Sequence, residues 1–211
     1  EALQGMLGNV DASKIDAYGD MLFEAWKDDR AVYVFGNGGS ASCASHHVAD
    51  YVKTAEVMDQ RRLRAFSLVD NTEMLTALGN DCSYDDIFVH PLQTYAKAGD
   101  VAVGISCSGN SPNLIKALEW AKDNGMTTVA ITGFSGGKAG GMVDLHMNIA
   151  SDNYGVVEDI QLAVGHIVAQ ILKTRVSALG GESFACINYG RRGFHWLAHR
   201  RRTSSRRLRR A

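Results

Sequence analysis

Two histidines and two carboxylates in this chain are spaced as if to share helix faces. His46 and Asp50 are four residues apart, and Glu158, Leu162 and His166 follow one another at the same spacing. On an α-helix, side chains at i and i+4 stand one above the other. Brought together, such a set can hold a divalent metal such as zinc, one per subunit. It can equally supply a base and an acid for proton transfer without any metal. The other histidines, His47, His90, His146, His195 and His199, read as structural.

Two Gly/Ser/Asn loops stand near these residues in the chain. "GNGGSAS" covers 36–42 and "SCSGNSPN" covers 106–113. Glycine lets the backbone approach an anion, and the first amides of a following helix point at it. Serine adds donors without adding charge. The candidate phosphate contacts are Asn37, Gly38 and Ser40 in the first loop, and Ser106, Cys107, Ser108 and Ser111 in the second. Ser40 and Ser111 have a plainer explanation as helix N-caps. No GK[ST] follows the first loop and its spacing is not GxGxxG, so Walker-type and dinucleotide sites are disfavoured.

The elements that position these loops alternate. Short apolar runs at 31–36, 63–69, 101–106 and 127–132 read as buried strands, with a weaker edge strand at 144–150. Helical patterns fall at about 40–54, 72–79, 86–97, 111–124 and 156–177. An amphipathic leader carries Ile15, Tyr18, Met21, Leu22 and Trp26 at helical spacing. Strands alternating with helices predict an α/β fold with a parallel sheet covered on both faces. Ligands of such sheets bind at the carboxyl ends of the strands, where both loops fall.

Length and charge narrow the class. A chain of 211 residues, 45% hydrophobic and 21% charged, suits one globular domain. No apolar run comes near the ~20 residues that span a bilayer. Four scattered cysteines without a CxxC pair indicate reduced thiols, and hence a cytoplasmic protein. The formal net charge of −1 averages unlike regions. Nine of the 22 basic residues are arginines at 191–210, where no acid follows Glu182; the remaining 13 stand against 23 acidic residues. A domain over 1–179 with an N-terminal helix, followed by a basic tail at 180–211, is the expected organisation. A block of like charge usually stays solvated or disordered. A non-native stretch of sequence would read the same way, and a nucleic-acid arm is the less favoured reading.

Together, "VFGNGGSA", "GISCSGNSPNLIKAL", "LGNDCSYDDIF" (78–88), "AITGFSGGKAGGMVD" (130–144) and the late "GHI" (165–167) resemble the SIS (sugar isomerase) family, phosphoheptose isomerase group. The resemblance covers about residues 1–177. It implies a flavodoxin-like sheet sandwiched by helices and a homotetramer with sites near subunit contacts. The implied substrate is a seven-carbon sugar phosphate. Residue by residue, it places Ser40 on the first phosphate loop and Ser106, Ser108 and Ser111 on the second. Asp81 falls on a sugar-hydroxyl contact, and His46 and His166 line the reaction centre.

Four positions depart from the family pattern. Asp50 stands where the family has a glutamate base, Glu158 where it has a glutamine, and Thr54 where it often has an arginine. Cys107 replaces a threonine of the second loop. The implied activity is an aldose–ketose isomerase that converts sedoheptulose 7-phosphate to D-glycero-D-manno-heptose 7-phosphate through an enediol. Asp50 or Glu158 would act as base and His166 as proton shuttle. The alternative is a non-catalytic SIS module that senses a sugar phosphate or adapts a partner. Neither a membrane nor nucleic acid is an expected partner.

Overall fold

The structure, a computed structural model, describes residues 10–179. Five strands alternate with helices in chain order: α1 (Ala12–Lys27), β1 (Ala31–Gly36), α2 (Gly39–Ala49), β2 (Arg64–Ser67), α3 (Thr72–Asp81), α4 (Val89–Tyr95), β3 (Val101–Ser106), α5 (Pro112–Asp123), β4 (Thr127–Thr132), α6 (Gly137–Gly140), β5 (Leu145–Asn148) and α7 (Tyr154–Leu179). All neighbouring strands pair in parallel. Their order is β2-β1-β3-β4-β5, the flavodoxin-like arrangement.

The apolar strands are buried on both sides because each face carries its own helix layer. Val32, Val34, Val103, Ile105, Val129 and Ile131 meet α1, α2 and α7 on one face. Tyr33, Phe35, Ala102 and Ala130 meet α3, α4 and α5 on the other. Adjacent residues of one strand enter opposite cores, as the pleat requires. The two edge strands, β2 and β5, are shorter than their apolar runs, with four residues each.

Two expected helices differ from their patterns. The run 40–54 is α-helical only to Ala49, and Asp50–Thr54 continues it as a π-turn. There Ala55 N–H reaches back to the Asp50 carbonyl at 2.8 Å, so each residue of this turn is displaced relative to a regular helix. The run 86–97 begins as a 3₁₀ turn, Tyr84–Asp86, before α4 starts at Val89.

α7 is long and apolar enough, by length and composition alone, to cross a membrane, which corrects the expectation that no apolar run comes near that length. One face of it is core here: Val157, Ile160, Val164, Val168 and Leu172 all pack against the sheet and helices, while Ile167 and Leu179 are exposed. A buried polar chain ties it to α1 and α2. Tyr51 OH lies 3.1 Å from Tyr18 OH and 3.3 Å from His47 Nδ1, and His47 Nε2–H donates to the Gln161 carbonyl at 2.9 Å. Burial pushes the His47 pKa down to about 4, so the ring is neutral.

The α2–α7 contact is closest where the His47 ring rests on Gly165. A Cβ at 165 would overlap Cδ2 and Nε2 of that ring, which is fully buried. Gly165→Ala is therefore expected to destabilise the fold by about 1–3 kcal/mol, as overpacking does. Urea unfolding measures it, and an unchanged midpoint would show that the helices can part at no cost. The boundary expected at 179–182 begins at the last described residue, and the arginine-rich stretch lies outside the described residues. Truncation after Leu179 is expected to leave the thermal transition unchanged. Loss of soluble protein would place the tail in the fold.

Candidate active site

β1 and β3 are neighbours in the sheet, yet the helices that follow them leave on opposite faces. α2 packs into one core through Cys43 and Ala44, and α5 into the other through Leu114 and Ala117. The chain therefore diverges beyond Gly36 and Ser106 and opens a crevice at the point where strand order reverses. Both Gly/Ser/Asn loops line that place.

The N-cap explanation fails for Ser40 and holds for Ser111 in position only. The N-cap of α2 is Gly38, at φ +54°, and no side chain caps the helix. Ser111 occupies the N-cap of α5 but its side chain makes no capping bond. The Ser40 hydroxyl is buried and directed at Gln161 Oε1, 3.4 Å away. In the second loop, Ser106 Oγ accepts from Gly109 N–H at 3.0 Å and Ser108 Oγ from Asn110 N–H at 3.2 Å. These bonds fold the loop back on itself, with Gly109 at φ +63° against the Gly136 carbonyl. The glycine-rich segment after β4 buttresses it: Lys138 N–H donates to Asn110 Oδ1 at 2.9 Å and Ala139 N–H to the Gly109 carbonyl at 3.0 Å. The Ser111 hydroxyl, at the start of α5, takes no part in these bonds.

At the far end of α2 the structure brings three of the four expected metal or acid/base residues together. Asp50 Oδ2 lies 2.6 Å from His166 Nδ1 and 3.9 Å from His46 Nε2. The two imidazoles meet edge to face, with centroids 4.9 Å apart. Asp50 is buried and its other oxygen, Oδ1, accepts from the Thr54 hydroxyl at 2.8 Å. Thr54 thus has a local task in the π-turn, orienting the carboxylate so that Oδ2 faces the histidines. The side chains of His46 and His166 are about half exposed, at 48% and 50%. A possible ligand atom from each of the three lies within 4.8 Å of the others. Two imidazoles and a carboxylate suit zinc, and three protein ligands with an open position match a catalytic metal site.

Glu158 is left out of that trio, which corrects the four-residue set. Its carboxylate lies against Gly39, where a Cβ would overlap it, and 3.9 Å from the Cys107 thiol. Burial, then the nearby Glu158, pushes the Cys107 thiol up to about 11, so this residue is a neutral donor rather than a nucleophile. Asp81 ends α3, exposed, and its one hydrogen bond among the described residues comes from Asn80 at 2.7 Å.

Residues that sequence reasoning did not single out hold the site together. Gln161, fully buried, donates to the Ile131 carbonyl at 3.2 Å and faces Ser40 with its oxygen. Asn113 and Tyr84 both bond Asn37. A polar residue on the otherwise apolar face of the 156–177 pattern was the available signal for Gln161. Beside the first loop, Gly36, Asn37, Ser42, Ser45 and Tyr84 line a pocket of about 280 Å³.

The SIS domain model matches residues 2–133, more than half of the chain. The chain belongs to the SIS domain family. It is 36% identical over 179 residues to the phosphoheptose isomerase of Citrifermentans bemidjiense, an alignment that covers 85% of this chain and 91% of that protein. The phosphoheptose isomerase of Neisseria gonorrhoeae superposes with a TM-score of 0.74 at 29% identity, over 81% of this chain and 90% of that one. The phosphoheptose isomerase of Francisella tularensis gives 0.75 at 25% identity over the same shares. This SIS domain thus shares its architecture with solved sugar-phosphate isomerases along most of its length.

Zinc titrated into chelator-treated protein is expected to bind at about one ion per chain. His46→Ala should weaken that binding by more than the roughly 10–100-fold that follows loss of an outer-shell partner. No stoichiometric binding to the unsubstituted protein would leave the trio as metal-free acid/base groups.

Proposed function

We propose that this chain is an aldose–ketose isomerase that interconverts sedoheptulose 7-phosphate and D-glycero-D-manno-heptose 7-phosphate. The observation that carries the reading is the Asp50–His166 contact at 2.6 Å, placed at one end of a helix whose other end opens the switch-point crevice. Relatives named phosphoheptose isomerase that this chain matches over nine-tenths of their length support the choice of sugar.

Binding begins at the phosphate. The start of α5 presents backbone N–H groups and the Ser111 hydroxyl, and a helix N-terminus favours an anion. Ser108 and the neutral Cys107 thiol add donors that carry no competing charge. With the phosphate fixed, the carbonyl end of the open-chain sugar is delivered to the other end of α2. Asp50 removes the proton from the carbon next to the carbonyl, which gives a cis-enediol. His166, held through Nδ1 by Asp50, carries a proton between the two oxygens, and the proton returned to the neighbouring carbon completes the exchange. A general base within hydrogen-bond reach of its acid partner contributes about 10²–10⁴-fold to such transfers. In the alternative use of the same trio, His46, Asp50 and His166 would instead hold a zinc ion, which would polarise the sugar's carbonyl oxygen when bound.

Asp is one methylene shorter than the family's glutamate, and a misplacement of about 1 Å can cost about 100-fold in rate. The π-turn and Thr54 fix where the shorter carboxylate points. The homotetramer implied by the resemblance and the cytoplasmic location read from the cysteines belong to the same reading. The half-exposed histidines leave room for a neighbouring subunit to close over the site.

Asp50→Asn is expected to abolish turnover of sedoheptulose 7-phosphate while the sugar phosphate still binds. Ser111→Ala should raise KM with kcat little changed, since a donor to a charged group is worth roughly 1.5–3 kcal/mol. Steady-state kinetics with calorimetric binding separates the two effects. Full activity in Asp50→Asn would falsify the catalytic assignment of Asp50, and absence of turnover by the unsubstituted protein would leave the sugar-phosphate sensor as the reading.

A further inference from the structure

The two loops at the switch point are joined by a pair of amides that nothing in the proposed chemistry uses. Asn37 is the first residue beyond β1, and Asn113 is the second residue of α5. Asn37 Nδ2 donates to Asn113 Oδ1 at 2.9 Å, and Asn113 Nδ2 donates back to Asn37 Oδ1 at 3.0 Å. Asn113 is buried, at 1% exposure. Its orientation is fixed: Oδ1 also accepts from Leu114 N–H at 2.8 Å, so a flipped amide would set N–H against N–H. Tyr84 OH adds a third bond to Asn37 Oδ1 at 3.1 Å. The Asn37 oxygen is therefore committed to protein partners, and the residue bridges the loops instead of presenting that oxygen to a ligand.

Burying an amide without a partner is unfavourable, and an apolar contact would hold the loops together without fixing their orientation. A reciprocal amide pair fixes both the separation and the relative plane of the two residues. It spans the switch point, where the chains leaving β1 and β3 diverge to opposite faces of the sheet, beyond the last paired residues Gly36 and Ile105.

We propose that Asn113 is a positioning residue for sugar-phosphate binding: acting through Asn37, it clamps the two switch-point loops in the arrangement that accepts the phosphate. The inference rests on the function proposed above. It assigns Asn113 to substrate affinity and leaves proton transfer to Asp50 and His166, on the far end of α2.

The experiment compares unsubstituted protein, Asn113→Ala, Asn113→Asp, Asn37→Ala and Asn37→Ala/Asn113→Ala, with kcat and KM for sedoheptulose 7-phosphate and its Kd by calorimetry. Asn113→Ala is expected to raise KM and Kd about tenfold, with kcat within about threefold, in the range of one lost buried hydrogen bond. The double variant should be no worse than the worse single one, because either substitution severs the same clamp. Asn113→Asp keeps the volume and the bond from Leu114 but loses the donor to Asn37 Oδ1. It should reproduce the KM effect and serves if the alanine variant fails to fold. Unchanged Kd in a folded Asn113→Asp, additive effects in the double variant, or a fall in kcat with Kd retained would each overturn the clamp. Should the unsubstituted protein bind the sugar phosphate without converting it, the isomerase reading fails while the Kd comparison still decides the clamp. Should it neither bind nor convert it, both fall.

Discussion

The site depends on one constraint of chain direction. Parallel neighbours β1 and β3 deliver their chains to the same edge of the sheet, and the helices that follow must cover opposite faces. A crevice between the departing loops is the unavoidable result. Short polar residues and glycines occupy it because the backbone must turn sharply there and must also satisfy its own hydrogen bonds without strand partners. The second loop does this through Ser106 and Ser108, and the first through the Asn37 bridge. The same need for local partners that closes the loops leaves donors at the start of α5.

α2 converts this crevice into a two-ended site. Its first residue, Gly39, adjoins the crevice, and His46 lies seven residues further on. At ~1.5 Å per residue that is about 10 Å along the axis. Six carbon–carbon bonds of roughly 1.5 Å each, fewer when zigzagged, plus a phosphate ester are of the same order. An extended open-chain sugar phosphate is thus about as long as the stretch of α2 between the crevice and His46. α7 supplies the other half of that reactive end, and the contact of His47 with Gly165 sets how near it comes. The residues either side of that contact, His46 and His166, are the ones brought edge to face.

Much of the architecture was legible because burial on both faces leaves strands as unbroken apolar runs. "AVYVFG", "VAVGIS" and "TTVAIT" match β1, β3 and β4 residue for residue. Edge strands were overextended, since apolar residues beyond Ser67 and Asn148 belong to loops packed on the core. The pairing of Asp50 with His166 was legible in outline, because i,i+4 spacing marks a face and few faces carry such residues. The π-turn at Asp50 was not, because "DYVKT" has the same apolar spacing in either helix. The partners of Asn113 and Ser40 were not legible either. Asn37 lies 76 residues from the first and Gln161 lies 121 residues from the second, and periodicity reports which face a residue is on, never what stands across from it.

Glu158 shows why the two loops do not serve the anion equally. Its carboxylate rests on Gly39, at the start of α2, where a helix N-terminus would otherwise favour a phosphate. A phosphate placed there would meet a second negative charge. The start of α5 carries no such occupant among the described residues, and Cys107, the second-loop residue 3.9 Å from Glu158, is kept neutral by burial and by that same carboxylate. On the function proposed above, this charge pattern favours the phosphate at Ser108, Ser111 and the amides of α5. The first loop, braced by Asn37 to the second and by Ser40 to α7, becomes a wall of the crevice. The glutamine of the family pattern carries no charge at this position, so in the proposed function the replacement by Glu158 sharpens the division of labour between loops without touching the groups proposed to move protons.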